Sequence, residues 1–282
     1  SLNRLCSLML QKMINILGIG SFDAYRRGNR PLILVNGLAE QEESWYPNRF
    51  VWQKHFEVHL PGVLVYGGPV IQERLAEKRP INIEFLTNRL AEYLDRFVQS
   101  APYNLVASSL GGQISVEYAA RYPDKVDKIV LLCPSGFGTE ERLPVLDGAR
   151  AKNYKGLVES TFHDRRFASP RIVDYYAQKF AMKHWRKAFF ETVRGTKSHS
   201  VVDKLKQIER PTLVICGRED RIVDPVAVHE AIRDLPNYKY VSIPNCGHAP
   251  QLECPRLINR MVVDFMNNNE VQPTAAMAGL GG

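Results

Sequence analysis

The residues Leu105-Val106-Ala107-Ser108-Ser109-Leu110-Gly111-Gly112 join a strand pattern to a helix pattern through a run of small side chains. Residues 103–108 form an apolar, strand-like run, and residues 111–122 read as a helix that ends before Pro123. A nucleophile on so tight a turn adopts strained backbone, and only small residues two positions to either side let the strand and the helix pass each other. The junction therefore predicts a nucleophilic serine, with a serine that merely caps the helix as the alternative.

The small-residue requirement separates the two adjacent serines. Ser109 has Ala107 and Gly111 two positions to either side, whereas Ser108 has a valine and a leucine at those positions. These larger side chains would obstruct the close approach of strand and helix, so the pattern favours Ser109 as the nucleophile.

The rest of the chain alternates short β-branched runs with longer helical ones. The predicted strands are residues 31–36, 55–60, 103–108, 128–133, 211–216 and 238–243. The predicted helices between and after them are residues 82–98 with Asn82 as N-cap, 111–122, 224–235 and 255–266. This alternation predicts an α/β fold in which a mostly parallel sheet is flanked by helices on both faces.

One long segment interrupts the alternation, because residues 134–210 contain no convincing strand and are too many for a loop. Their helix-forming and aromatic residues predict two to four helices that form a lid over the sheet, inserted at residues 138–205 between core segments 21–137 and 206–266. Residues 139–205 carry 14 Lys and Arg against 8 Asp and Glu. This charge could attract an acidic substrate, but a solvated surface is the simpler reading. The side chains expected to point outward are Arg165, Arg166, Lys183, Arg186 and Lys187.

The two ends of the chain differ from its middle. Residues 1–20 have apolar side chains at helical spacing, which predicts an amphipathic helix packed on the body, with an interfacial membrane helix as the alternative. Residues 267–282 are polar and then rich in Gly and Ala, which predicts a flexible tail.

The net charge and the cysteine content indicate which partners and which cellular location to expect. A net charge of +7 without any block of five Lys or Arg gives no indication of nucleic-acid binding, and peripheral membrane contact is a secondary possibility. Five cysteines lack metal-ligand spacing, and two of them fall inside apolar strands, so we expect free thiols and a cytoplasmic location. The sequence leaves the oligomeric state open.

Two further strand ends carry residues with acid–base chemistry. The turn after residues 211–216 contains Asp220 and Asp224; Asp220 lies in the turn itself, whereas Asp224 precedes a proline and is better explained as a helix cap. His248 follows the last predicted strand and a glycine. The chain order serine, aspartate, histidine is the one expected for a nucleophile, its orienting acid and its base on this type of sheet.

These three sites together resemble the α/β-hydrolase family over residues 22–266. The resemblance implies that Ser109 is the nucleophile, His248 the general base and acid, and Asp220 the residue that orients the histidine. Asn36-Gly37-Leu38 resembles the family's His-Gly oxyanion loop, which implies the backbone N–H groups of Leu38 and Leu110 as oxyanion-hole donors. Asn36 replaces the usual histidine. Residues 60–68 also lack the Asp and Gly-x-Ser pattern of many relatives.

The resemblance implies a serine hydrolase that cleaves a carboxylic ester or thioester of a largely hydrophobic small molecule through an acyl-enzyme, with no cofactor and no metal. A serine in the nucleophile position argues against the haloalkane dehalogenases and epoxide hydrolases of the family. A carbon–carbon bond hydrolase, a perhydrolase and a lipase remain open, since fold does not choose among them. Two alternatives of other classes are a non-enzymatic ligand sensor and a peripheral membrane protein.

Overall fold

The strands form one seven-stranded sheet in a computed structural model that describes residues 20–25, 30–98, 100–138 and 144–271. Its order is β1-β3-β2-β4-β5-β6-β7, with β1 antiparallel to β3 and the other neighbours parallel. The strands are β1 Gly20–Tyr25, β2 Pro31–Val35, β3 Glu57–Pro61, β4 Tyr103–Ser108, β5 Val126–Leu132, β6 Thr212–Gly217 and β7 Tyr238–Ile243. The predicted mostly parallel sheet is confirmed, with shifts of one or two residues at four strands. The edge strand β1 was not predicted.

Helices cover both faces of this sheet. The α-helices are α1 Tyr46–Trp52, α2 Pro69–Ala76, α3 Ile83–Phe97, α4 Leu110–Arg121, α5 Pro144–Arg150, α6 Tyr154–Thr161, α7 Pro170–Ala181, α8 Lys183–Thr196, α9 Val202–Leu205, α10 Pro225–Ala231, α11 Pro250–Glu253 and α12 Pro255–Met266. Asn82 caps α3 as predicted, since its Oδ1 accepts a hydrogen bond from the Phe85 N–H at 3.0 Å.

The hydrophobic core lies in two layers, one on each side of the sheet. In β2, Ile33 and Val35 face the layer that contains α3, α4 and the lid, while Leu32 and Leu34 face the layer that contains α1 and α12. Every residue of β2 is buried, as expected when both faces of a parallel sheet are covered. This explains why β2 is a continuous apolar run rather than an alternating one.

Between β5 and β6 the described residues form five α-helices, α5 to α9, and no strand. The number exceeds the predicted two to four because additional start signals divide the segment; Asn153, for example, caps α6 by accepting from the Gly156 N–H at 3.0 Å. We refer to the described residues of this insertion, 138 and 144–205, as the lid, after the role predicted for them from the sequence. Its α8 packs on the core through Trp185, whose ring centroid lies 4.7 Å from that of Tyr66.

The predictions for the chain ends fall largely outside the described residues. Of the helix predicted at residues 1–20, only Gly20 is described, and it begins β1. At the other end, packing continues past α12. Arg30 donates to Asn267 Oδ1 at 2.6 Å, and Lys128 donates to Asn268 Oδ1 at 2.6 Å. The packed body therefore extends beyond the predicted boundary at residue 266. No helix within the described ranges has the length and apolar content needed to cross a lipid bilayer.

Candidate active site

Ser109 lies in the sharp turn between β4 and α4. Its φ of 47° and ψ of −117° fall outside the regions that non-glycine residues favour. The turn is held by main-chain hydrogen bonds, because the Ser109 N–H donates to Leu132 O at 3.0 Å and the Ser109 carbonyl accepts from the Gly112 N–H at 2.8 Å. A Cβ added at Gly111 would lie 2.3 Å from Val35 O, so the glycine is required by the close approach of α4 to β2.

The two neighbouring serines occupy different environments. Ser109 is 9% exposed and lines a cavity at the carboxyl ends of the strands, whereas Ser108 is fully buried. The Ser108 hydroxyl donates to Glu40 Oε1 at 2.6 Å. Of the two hydroxyl-bearing side chains, only that of Ser109 is placed to meet a molecule in the cavity.

Asp220 and His248, which are far apart in sequence, are brought into contact at the ends of β6 and β7. Asp220 Oδ2 lies 2.8 Å from His248 Nδ1, and the two side chains are only 1% and 8% exposed. Asp220 Oδ1 accepts from the N–H groups of Ile222 at 2.8 Å and Val223 at 3.1 Å. Burial acts to raise the pKa of Asp220, but His248 and these two donors outweigh it and hold the pKa below its ordinary value.

Asp224, the alternative carboxylate, lies at the start of α10 and serves that helix. Its Oδ1 accepts from the Val226 N–H at 2.9 Å, which is the geometry of an N-cap. The structure thus pairs Asp220, and not Asp224, with the histidine.

His248 lies in the loop of residues 244–249, which we call the histidine loop. This loop is hydrogen-bonded to the lid and to α11. The His248 N–H donates to Thr161 O at 2.8 Å at the end of α6. Glu253 accepts from the Gly247 N–H at 2.7 Å with one carboxylate oxygen and from the His163 N–H at 2.9 Å with the other. These contacts fix the loop on which the imidazole is mounted.

Residues 36–40, which we term the oxyanion loop, follow β2 and lie against Ser109. A Cβ added at Gly37 would lie 2.9 Å from Ser109 Cβ, and both Leu38 and Leu110 line the cavity. Leu110 is the first residue of α4, so its N–H has no carbonyl partner within the helix. Asn36, at the family's histidine position, accepts from Trp45 Nε1 at 2.5 Å, which supplies support for the loop.

Ala39 gives this loop an unusual conformation, with a φ of 61°. Two tyrosine hydroxyls hold its peptide groups. The Ala39 N–H donates to Tyr66 Oη at 3.2 Å, and Tyr176 Oη, from α7 of the lid, donates to the Ala39 carbonyl at 3.1 Å. Neither tyrosine is predictable as a site residue from the sequence, since nothing local distinguishes them from the other aromatic residues of the chain.

Glu40 is a further residue of the site that no sequence pattern predicted. It lines the cavity, and its carboxylate accepts from the Gly37 N–H at 2.8 Å as well as from Ser108. Burial raises the pKa of Glu40, although the hydrogen bonds from Ser108 and Gly37 and the nearby His248 partly offset this.

The cavity that joins these groups has a volume of about 100 Å³. Its walls are mainly apolar, and they include Ser109, His248 and residues of the lid. Besides the residues already named, the lining residues are Gln113, Ser135, Leu157, Thr161, Val193, Thr196, Lys197 and Ile222. Lys197 is the one basic residue of the described part of the lid that reaches this cavity.

The only group of potential metal ligands within the described residues overlaps the pair just described. One ligand atom each of Cys133, Asp220 and His248 lies within 4.8 Å of the others. Asp220 and His248 already bind each other, and Cys133 Sγ accepts from the Gly217 N–H at 3.4 Å. These contacts account for the cluster without a metal.

The chain is similar in sequence and in fold to known hydrolases. The model of the alpha/beta hydrolase family matches residues 32–261. The human monoacylglycerol lipase ABHD6 is 27% identical over 262 residues, covering 86% of this chain and 77% of its own. A pimeloyl-[acyl-carrier protein] methyl ester esterase from Nitrosospira multiformis is 25% identical over 254 residues, covering 83% of this chain and 93% of its own. The structure of a meta-cleavage product hydrolase from Pseudomonas fluorescens superposes with a TM-score of 0.74 at 19% identity, covering 86% of this chain and 92% of its own.

Proposed function

The chain belongs to the alpha/beta hydrolase family, and from this premise we propose that it is a serine hydrolase of carboxylic esters or thioesters. One observation carries the proposal: the strained Ser109 and the imidazole of His248 line one cavity, and the far side of the imidazole is bound by Asp220. A nucleophile, a base and an orienting acid in this relation are the parts that acyl transfer needs.

In the proposed reaction, Ser109 Oγ attacks the carbonyl carbon of the substrate. Its proton passes to Nε2 of His248, because Nδ1 faces Asp220, and the Asp220 carboxylate stabilises the imidazolium that forms. The carbonyl oxygen becomes an oxyanion held by the backbone N–H groups of Leu38 and Leu110. His248 then returns the proton to the departing alcohol or thiol, and water releases the acyl group by the same steps.

The substrate is a small molecule with a largely hydrophobic acyl or alcohol part. Leu38, Leu110, Leu157, Val193 and Ile222 supply apolar walls around Ser109. An apolar pocket with a few converging polar groups favours ligands of matching character. The names of two relatives, a monoacylglycerol lipase and a methyl ester esterase, support an ester as the bond cleaved.

The nucleophile is tested by covalent labelling with a fluorophosphonate. Intact-mass analysis is expected to show one addition in the wild type and in Ser108→Ala, and none in Ser109→Ala. Of Ser108 and Ser109, only Ser109 lines the cavity. Labelling that persists in Ser109→Ala therefore contradicts the assignment of Ser109 as the nucleophile.

The reaction class is tested with one panel of substrates. It consists of p-nitrophenyl esters from acetate to palmitate, an acyl-CoA and a vinylogous diketone. We expect turnover of the esters or the thioester. Preferential cleavage of the diketone would instead indicate a carbon–carbon bond hydrolase, and ligand-dependent thermal stabilisation without turnover would indicate a sensor.

A further inference from the structure

The carboxylate of Glu40 connects the oxyanion loop with the last residue of β4 and with α11, which lie next to Ser109 and next to the loop of His248. Its Oε2 accepts from the Gly37 N–H at 2.8 Å in the oxyanion loop. Its Oε1 accepts from Ser108 Oγ at 2.6 Å, next to the nucleophile, and from Gln251 Nε2 at 3.4 Å, just after the histidine loop. Gln251 Nε2 also lies 3.4 Å from Ser108 Oγ, so the three side chains form one buried network.

The oxyanion loop needs such support because its own main-chain bonding is weak. The turn over residues 37–40 is closed by the Glu40 N–H to the Gly37 carbonyl at 3.4 Å, near the limit for a hydrogen bond. Its third residue, Ala39, has the positive φ that such turns normally assign to glycine. The bond from the Gly37 N–H to the Glu40 carboxylate, at 2.8 Å, is the shorter link between the two ends of the turn.

Leu38 lies inside this turn, between the two residues that the Glu40 carboxylate connects. The direction of the Leu38 N–H therefore depends on how the turn is held. Ser108, the other strong partner of Glu40, directly precedes Ser109, so the network sets the oxyanion loop against the nucleophile.

We propose that Glu40 is a positioning residue: through Gly37 and Ser108 it holds the Leu38 N–H at the place where the oxyanion forms. The inference rests on the proposed serine hydrolase function and adds a role that the triad and the two backbone donors do not include. Glu40 takes no proton from the substrate and forms no bond with it in this role.

The expected signature is a loss in kcat with little change in KM. The oxyanion exists only in the transition state and the intermediate, so a displaced donor weakens the transition state and not substrate binding. Because removal of one oxyanion donor lowers kcat by about 10²- to 10³-fold, we expect a displaced donor to lower kcat by about 10- to 100-fold.

The experiment compares Glu40→Ala, Glu40→Gln and Glu43→Ala with the wild type on the ester that the panel selects. Glu40→Ala is expected to lower kcat as above, and to weaken binding of a boronic acid that mimics the tetrahedral intermediate by a similar factor. Glu40→Gln keeps an oxygen acceptor of the same size for the Gly37 N–H, and we expect it to restore most of the loss. Glu43 is exposed on the adjacent segment, so Glu43→Ala is the matched control with wild-type kinetics.

Ser108→Ala provides a second test if Glu40→Ala does not fold. It removes one partner of the carboxylate and leaves the other, and a single hydrogen bond of this kind corresponds to a fall in kcat of about 3- to 10-fold. Wild-type kcat in both Glu40→Ala and Ser108→Ala overturns the inference, as does a change confined to KM. A wild type that neither reacts with fluorophosphonate nor turns over any panel substrate overturns the proposed function instead.

Discussion

At the scale of single residues, the candidate site depends on neighbours with similar chemistry and different surroundings. Ser108 and Ser109 differ in burial and partner, and Asp220 and Asp224 differ in the same way. In each pair, one residue contacts the cavity or its histidine. The other bonds elsewhere: Ser108 donates to the Glu40 carboxylate, and Asp224 accepts from the backbone N–H of Val226. Single substitutions of each member of a pair, compared with each other, therefore distinguish a chemical role from a structural one.

Asp220→Asn and Asp224→Asn are expected to have opposite effects on activity and stability. Neutralising a triad carboxylate costs roughly 10⁴-fold in kcat, because the histidine loses its orientation and its counter-charge, and we expect Asp220→Asn to show a loss of this order. Asp224→Asn keeps a good N-cap, so its expected cost is at most about 1 kcal/mol in the free energy of unfolding, with activity retained. Steady-state kinetics and denaturant unfolding of both variants measure the two effects. If the activity loss followed Asp224, the assignment of the acid would be wrong.

At the scale of elements, the lid is connected to the loops that it covers. Helix α6 accepts a hydrogen bond from the histidine loop, and α7 donates one to the oxyanion loop through Tyr176. The lid therefore contributes to the support of both loops.

Tyr176→Phe tests the contribution of the lid to the oxyanion loop. The variant removes the bond to the Ala39 carbonyl and keeps the ring, so we expect kcat to fall by about 3- to 10-fold, the equivalent of one hydrogen bond. Tyr175→Phe is the matched control, because the Tyr175 hydroxyl is buried and has no hydrogen-bond partner within the described residues. Removal of an unpaired buried hydroxyl should leave kcat unchanged and stability equal or higher. Equal effects of the two substitutions on kcat would show that the lid contact does not reach the site.

At the scale of the whole molecule, charge is distributed unevenly between the surface and the cavity. The lid carries most of the net positive charge, yet Arg165, Arg166, Lys183 and Lys187 are exposed to solvent, as expected, while Arg186 is half-buried and donates to Phe180 O. Within the cavity lining, Lys197 is the one lysine or arginine and Glu40 the one acidic residue among the described residues. The basic surface therefore contributes little charge at the place where the substrate binds.

A neutral ester and its carboxylated analogue, compared at 0.1 M and 1 M salt, test this distribution. The Debye length falls from about 10 Å to about 3 Å over this range, so exposed charge pairs are screened. An exposed pair is worth about 0.2 to 1 kcal/mol, and we accordingly expect the KM of the anionic ester to rise no more than about fivefold relative to the neutral one. Lys197 lines the cavity, so Lys197→Ala should abolish the difference in salt dependence between the two esters. Lys187 is exposed and outside the lining, so Lys187→Ala should leave that difference unchanged. A larger difference, or one that Lys187→Ala reduces, would show that the wider lid surface faces the substrate.

Features that depend on local pattern are predictable from the amino-acid sequence. Apolar runs located six of the seven strands, and the small residues around Ser109 predicted the turn that its backbone adopts, because a steric requirement two residues away is visible in the sequence. The edge strand β1 was missed. Its place comes from pairing with β3, and its sequence, Gly-Ser-Phe-Asp-Ala-Tyr, is not a continuous apolar run.

The contacts between distant polar groups, in contrast, follow from the tertiary structure. Ser108 and Glu40 are 68 positions apart, and Tyr176 and Ala39 are 137 apart, so no local spacing connects them. Glu40 lies next to three other Glu or Gln residues, at positions 41–43. All four side chains can accept hydrogen bonds, so the sequence does not indicate which of them bonds to Ser108. Glu40 makes these contacts because the turns after β2, β4 and β7 meet at the carboxyl ends of the strands. That meeting is set by strand order and helix packing, which side-chain type and local periodicity do not encode.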